Sequence, residues 1–204
     1  LAGWAALATA AMAPLAVAED TFGSIRVPAS FCGIAGLRPS VGRYPGAGVM
    51  PITPRWDTAG PLARTVADLI LFDSAVTADM SAVATKPLRG VRIGLADYFL
   101  TEVHPEVARV TMEAVRRFQS TGAELVWADV SNEIRVGTDL TRTVHLYETA
   151  ANMSAFLAEH ESGITFEDLV SQVSPDLQPL FRDRIVPGAP NRVSKEQYEA
   201  ALAQ

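Results

Sequence analysis

The chain has 204 residues, 49% of them hydrophobic, with a formal net charge of −6 and one cysteine. That length and apolar content suffice for a single core, while the acidic balance and the lack of a basic run exclude a nucleic-acid partner. Cys32 alone excludes an internal disulfide, and one thiol with three scattered histidines offers no zinc-ligand spacing. No Gly-rich phosphate loop occurs either, so no cofactor is expected, and the composition reads as a reduced, cytoplasmic protein.

In chain order, Ala5 to Met12 is rich in alanine, the strongest helix former, but has no Ser, Thr, Asp or Asn at an N-cap position. The chain is therefore expected to open inside a helix. Leu1 to Ala18 carries no charge, and Ala16-Val17-Ala18 resembles a signal-peptidase site. No Lys or Arg precedes it, and Pro14 among alanines makes a poor membrane span, so neither a leader nor a spanning helix is expected.

Val27 to Pro61 is dense in glycine and proline and reads as short strands and ordered loops. Thr65 with Asp68 forms a capping-box pattern for a helix whose apolar face carries Val66, Leu69 and Ile70. Ser81 to Arg89 reads as a polar connection. Val91 to Leu95 has the character of a buried strand. Pro105 opens a helix with Val107, Val110, Ala114 and Phe118 on one face, Gly122 closes it, and Glu124 to Ala128 is the next strand. Strand, helix, strand predicts a parallel pair in an α/β layer.

From Ser131 onward the pattern is helical, with Val144, Tyr147, Ala151 and Ala155 spaced along one face and Thr165 with Asp168 as another capping box. Pro175, Pro179, Pro187 and Pro190 predict a loop-rich excursion. Ser194 with Gln197 caps a helix running through Tyr198 and Leu202 to the end of the sequence, so both ends read as cut from a longer protein.

The stretch Asp20-Thr21-Phe22-Gly23-Ser24-Ile25-Arg26-Val27-Pro28 puts a serine after a glycine in a turn whose backbone N–H groups can converge on one point. Such amides stabilise the oxyanion formed when a serine attacks a carbonyl. By spacing alone a Gly-Ser turn is usually only a turn. Around it, however, stand Cys32-Gly33, Gly36-Leu37-Arg38-Pro39-Ser40, Gly42-Arg43, Asp57 through Asp68, and Leu88 through Gly94, in that order. Together these blocks resemble the amidase signature family.

The resemblance implies an α/β fold with a mixed β-sheet core covered by helices, present here as a partial domain. Residues 1–79 would be the catalytic core segment, 80–130 a strand-helix-strand segment and 131–204 a helical, substrate-side segment. It implies that Ser24 is the nucleophile, that the backbone amides of Thr21, Phe22, Gly23 and Ser24 form the oxyanion hole, and that Asp20 and Arg26 support the turn. A serine hydroxyl needs a base, and a lysine serves only when burial keeps it neutral. In the family a second serine in a cis peptide relays the proton to such a lysine. Both lie upstream of Leu1 by the resemblance, and Lys86 and Lys195 match neither, so these 204 residues are expected to be inactive alone.

Two residues depart from the pattern: Phe22 stands where a glycine is common, and Glu19 where a threonine is. Phe22 is strained if its φ is positive, or else is a pocket wall facing an aromatic acyl group. Gly42 to Pro51 and Asp57 to Pro61 resemble the branch of mandelamide and indoleacetamide hydrolases, which implies a small arylacetamide substrate cleaved to acid and ammonia. The alternatives are a glutaminase-type subunit of a transfer RNA-dependent amidotransferase, although Val27 replaces that branch's glutamine, and a non-catalytic scaffold that kept the fold. A homodimer is compatible with the sequence.

Other reactive residues read as structural. Cys32 has the setting of a buried thiol. A Ser24, His145 and Asp139 triad has no further support. His104 and His160 read as surface residues, and Trp4, Trp56 and Trp127 as packing residues.

Overall fold

The computed structural model describes residues 2–81, 83 and 86–204. In chain order the elements are α1 (Ala2–Thr9), β1 (Leu15–Glu19), α2 (Arg26–Cys32), β2 (Ala35–Gly36), β3 (Ala59–Ala63), α3 (Val66–Thr77), β4 (Arg92–Ala96), a 3-10 turn (Asp97–Leu100), α4 (Pro105–Ser120), β5 (Glu124–Ala128), α5 (Ser131–Glu159), α6 (Phe166–Gln172), α7 (Gln178–Leu180), a π turn (Phe181–Ile185) and α8 (Lys195–Leu202). They fall into two compact units, Leu1–Ala82 with Thr141–Gln204, and Val83–Leu140. The connection expected over Ser81 to Arg89 lies partly outside the described residues.

In the first unit β3 is the central strand of an antiparallel sheet of order β1-β3-β2. Its register pairs Leu15 with Ala63 and Glu19 with Ala59 on one side, and Ala35 with Ala63 on the other. The stretch that mimics a leader site is thus strand β1. Ala5, Ala16, Ile25, Ala29 and Leu62 form a buried cluster against which Cys32 packs. Small side chains let the backbones close in here. At Gly60 a Cβ would stand 2.2 Å from the Leu37 carbonyl oxygen, so no larger residue fits without moving β3. A second cluster joins Leu146 and Ala150 of α5 to Phe166 and Val170 of α6 and to Ile185.

The structure corrects several readings. α2 interrupts the stretch expected to be strands and loops. Its proline, Pro28, sits in the first turn, where the missing N–H costs no hydrogen bond, and Gly33 ends the helix in the left-handed conformation at φ 64°. On α3 only Leu69 is buried, whereas Val66 and Ile70 are exposed. On α4 the inward stripe is Ala108, Met112 and Val115, and the expected face of Val107, Val110, Ala114 and Phe118 points outward. Residues 175–192 carry α7 and the π turn because Phe181 and Ile185 reach the second cluster. Trp4 and Trp127 are exposed rather than packed.

The predicted parallel pair is present in the second unit, where β4 and β5 align Arg92 with Glu124 and Ala96 with Ala128. The capping boxes of α6 and α8 form in full. In α3 the Thr65 hydroxyl accepts from the Asp68 amide and donates to its carboxylate.

Candidate active site

β1 ends at Glu19 and the chain turns through Asp20 to Ile25 into α2. The turn is organised by one carboxylate. Asp20 is fully buried, and its Oδ1 accepts from the Gly23 amide at 2.7 Å while Oδ2 accepts from the amides of Ile25 and Arg26 at 3.1 and 3.3 Å. The Arg26 guanidinium donates to both oxygens, at 3.0 and 3.1 Å. Arg38 lies 3.4 Å from Oδ1 and donates to the Trp56 carbonyl at 2.7 Å. Burial by itself would raise the Asp20 carboxyl, but Arg26 and the amides of Gly23 and Ile25 together hold it below the usual carboxylate range. Asp20 thus satisfies amides that the start of α2 would otherwise leave unpaired.

The positive φ of this turn, 124°, falls on Gly23, and Phe22 is not among the positive-φ residues. Phe22 is therefore unstrained, contrary to one of the two sequence readings. Ser24, half-buried, follows directly, and its hydroxyl makes no hydrogen bond among the described residues. The Gly23 N–H is committed to Asp20, which removes it from the amides left open to a ligand.

Beside the turn, Thr21 donates to Asp57 Oδ1 at 2.5 Å, and Asp57 Oδ2 accepts from the amides of Ile52 and Thr53 at 2.7 Å each. The Thr53 hydroxyl donates to Glu148 of α5, which also accepts from Arg55 at 3.1 Å and from Tyr198 at 2.6 Å. A cavity of about 530 Å³ lies along this frame, with Glu19, Tyr44, Asp57, Asn152, Phe156 and His160 among its lining residues; Ser24 does not line it. Burial and then the Asp57 charge push the Glu19 carboxyl up to about 7, and its Oε1 is buried without a hydrogen-bond partner.

α5 also brings His145 to the turn, its ring 6.1 Å from that of Phe22 and tilted by 36°. Burial lowers the His145 pKa. Its Nδ1 sits 3.0 Å from the Thr141 carbonyl oxygen, which can only accept, so Nδ1 carries the proton. A backbone carbonyl of the same helix therefore takes up Nδ1 of this ring. Asp57, Thr53 and Glu148 escaped the sequence reading as site residues. Asp57 stood inside a recognised block, but nothing local marked its partners.

A family model described as Amidase matches residues 2–202. The chain belongs to the amidase family. This amidase chain is 34% identical over 180 residues to the mandelamide hydrolase of Pseudomonas putida, an alignment covering 88% of the chain and 35% of that relative. It is 30% identical over 187 residues to an indoleacetamide hydrolase of Agrobacterium vitis, covering 91% of the chain and 39% of the relative. Its fold matches the peptide amidase of Stenotrophomonas maltophilia with a TM-score of 0.70 at 27% identity, covering 99% of the chain and 43% of that structure. The amidase chain thus spans well under half the length of these relatives. Among its described residues no helix is long and apolar enough to cross a membrane, and no group of His, Cys, Asp or Glu could hold a metal ion.

Proposed function

We propose that this chain carries the nucleophile of a hydrolase of small aryl-substituted primary amides. In this reading Ser24 Oγ attacks the amide carbon and forms a C–O bond as its proton leaves. The C–N bond then breaks, ammonia departs with the added proton, and water hydrolyses the acyl ester to the carboxylic acid and free Ser24. The amides of Thr21, Phe22 and Ser24 receive the oxyanion, and Gly23 instead supplies the backbone bend.

The observation that carries the reading is Ser24 with its unbonded hydroxyl, next to a turn that Asp20 pins through three backbone amides. Pinning matters because donors already in place do not have to reorganise as charge develops. Residues 1–79 then act as the core segment with the nucleophile, 80–130 as the strand-helix-strand segment and 131–204 as the substrate side. The last assignment is supported by the contacts of His145 with Phe22 and of Glu148 with Thr53.

Neither lysine bonds to Ser24: Lys195 pairs with Glu199 at 3.6 Å, and Lys86 is exposed. The relay serine and the neutral lysine of the Ser-cis-Ser-Lys scheme therefore come, in this reading, from polypeptide outside these 204 residues.

The test is ammonia release from phenylacetamide, 2-hydroxy-2-phenylacetamide and indoleacetamide by the longest polypeptide carrying this sequence, with and without Ser24→Ala. Loss of at least about 10³-fold in kcat/KM is expected for the variant. Turnover that survives Ser24→Ala, or turnover by the 204 residues alone, overturns the respective part of the reading.

A further inference from the structure

The geometry points to Phe22 and His145 as a two-ring wall that selects an aromatic acyl group for the Ser24 ester. This rests on the nucleophile reading above. Phe22 stands two positions before Ser24 on the pinned turn, and the residue is 50% exposed. A large apolar ring left in the open beside a reactive hydroxyl offers contact area that the fold itself does not use. Its backbone is relaxed, so the ring is not a by-product of a strained turn.

The second ring arrives from a different element. His145 belongs to α5, and its Nδ1–H is tied to the Thr141 carbonyl one helical turn back, which fixes the ring plane. Burial favours its neutral form, which stacks without the hydration demand of an imidazolium. Centroids 6.1 Å apart lie within the range over which aromatic rings interact, the 36° tilt being intermediate between stacked and edge-to-face, and a third ring can extend such a pair. Two neighbouring rings together present a broad apolar surface, which suits the flat body of a phenyl or indolyl acetamide better than a linear alkyl chain.

The measurement is the ratio of kcat/KM for phenylacetamide to that for butyramide, in the longest polypeptide carrying this sequence. Phe22→Leu and His145→Ala are each expected to lower the ratio about 5- to 10-fold, mainly through KM, while His145→Phe restores it. Unchanged ratios overturn the inference. So does loss of kcat on both amides in His145→Ala and His145→Phe alike, since that identifies a proton-transfer role instead. Ser24→Ala run in parallel separates the two levels: if it leaves turnover intact the nucleophile reading fails, and if it abolishes turnover while the ratios stay fixed only the wall fails.

Discussion

The Thr21 hydroxyl donates to Asp57 across 2.5 Å, joining the turn that precedes Ser24 to the 52–57 loop through a single carboxylate. Asp57 also accepts both amides of Ile52 and Thr53. Replacing it by alanine leaves those partly buried donors unpaired, at roughly 1–3 kcal/mol per group. Asp57→Ala is expected to lower the unfolding free energy by about 2–4 kcal/mol in urea denaturation, and Asp57→Asn by less because its amide oxygen still accepts. Equal midpoints for wild type and Asp57→Ala argue against the bridge.

Asp20 gives a pH signature. Its folded carboxyl is held below the ordinary range, so the stability it contributes is present above the unfolded pKa and fades as pH falls toward the folded one. Asp20→Asn breaks a buried pair and is expected to cost about 3 kcal/mol at pH 7, and less in acid, as pH falls below the ordinary carboxylate range toward the lowered folded pKa. Urea unfolding of both proteins at neutral and acid pH checks this. A cost that does not change with pH contradicts it.

Glu19 has the opposite sign. Burial and Asp57 push its carboxyl up to about 7, so its contribution is full below the unfolded pKa and is lost as pH rises through the folded value. Glu19→Gln cannot ionise, and is expected to match wild type near about pH 4 and exceed its stability by about 1–3 kcal/mol near about pH 8. Thermal melts across this range show whether the two curves part.

Two glycines should respond in opposite directions. Gly23 has φ 124°, and a Cβ there would lie 3.1 Å from Val27 Cγ2, so Gly23→Ala is expected to cost about 1–3 kcal/mol. Gly137 lies inside α5 with no atom within 4 Å of its would-be Cβ. There alanine only lowers the entropy of the unfolded chain and improves helix propensity, a gain of about 0.5–1 kcal/mol. Melting temperatures that move the same way in both variants refute this contrast.

What could be read from the chain itself follows a physical boundary. Thr165 with Asp168 and Ser194 with Gln197 were predicted and formed, because a capping box closes within one helical turn and needs no partner elsewhere. The parallel pairing of β4 and β5 followed from element order, and family membership from blocks whose residue types and spacing persist without any coordinates. The faces of α3 and α4 were misread, because periodicity shows that a stripe exists while the neighbouring elements decide which stripe is covered. α2 was missed because proline and glycine density argued against regular structure, whereas the Asp20 carboxylate supplies a cap from six positions before Arg26.

Around Ser24, the sequence alone determined the residue types of the turn and the need for glycine where the backbone bends. Only the tertiary structure decided that the positive φ belongs to Gly23 and not Phe22, that Asp20 takes up the Gly23 amide, and that Phe22 meets His145. The reason is distance along the chain: Thr53 and Glu148 are 95 positions apart, and a contact of that span exists only after α5 has folded back beside the 52–57 loop.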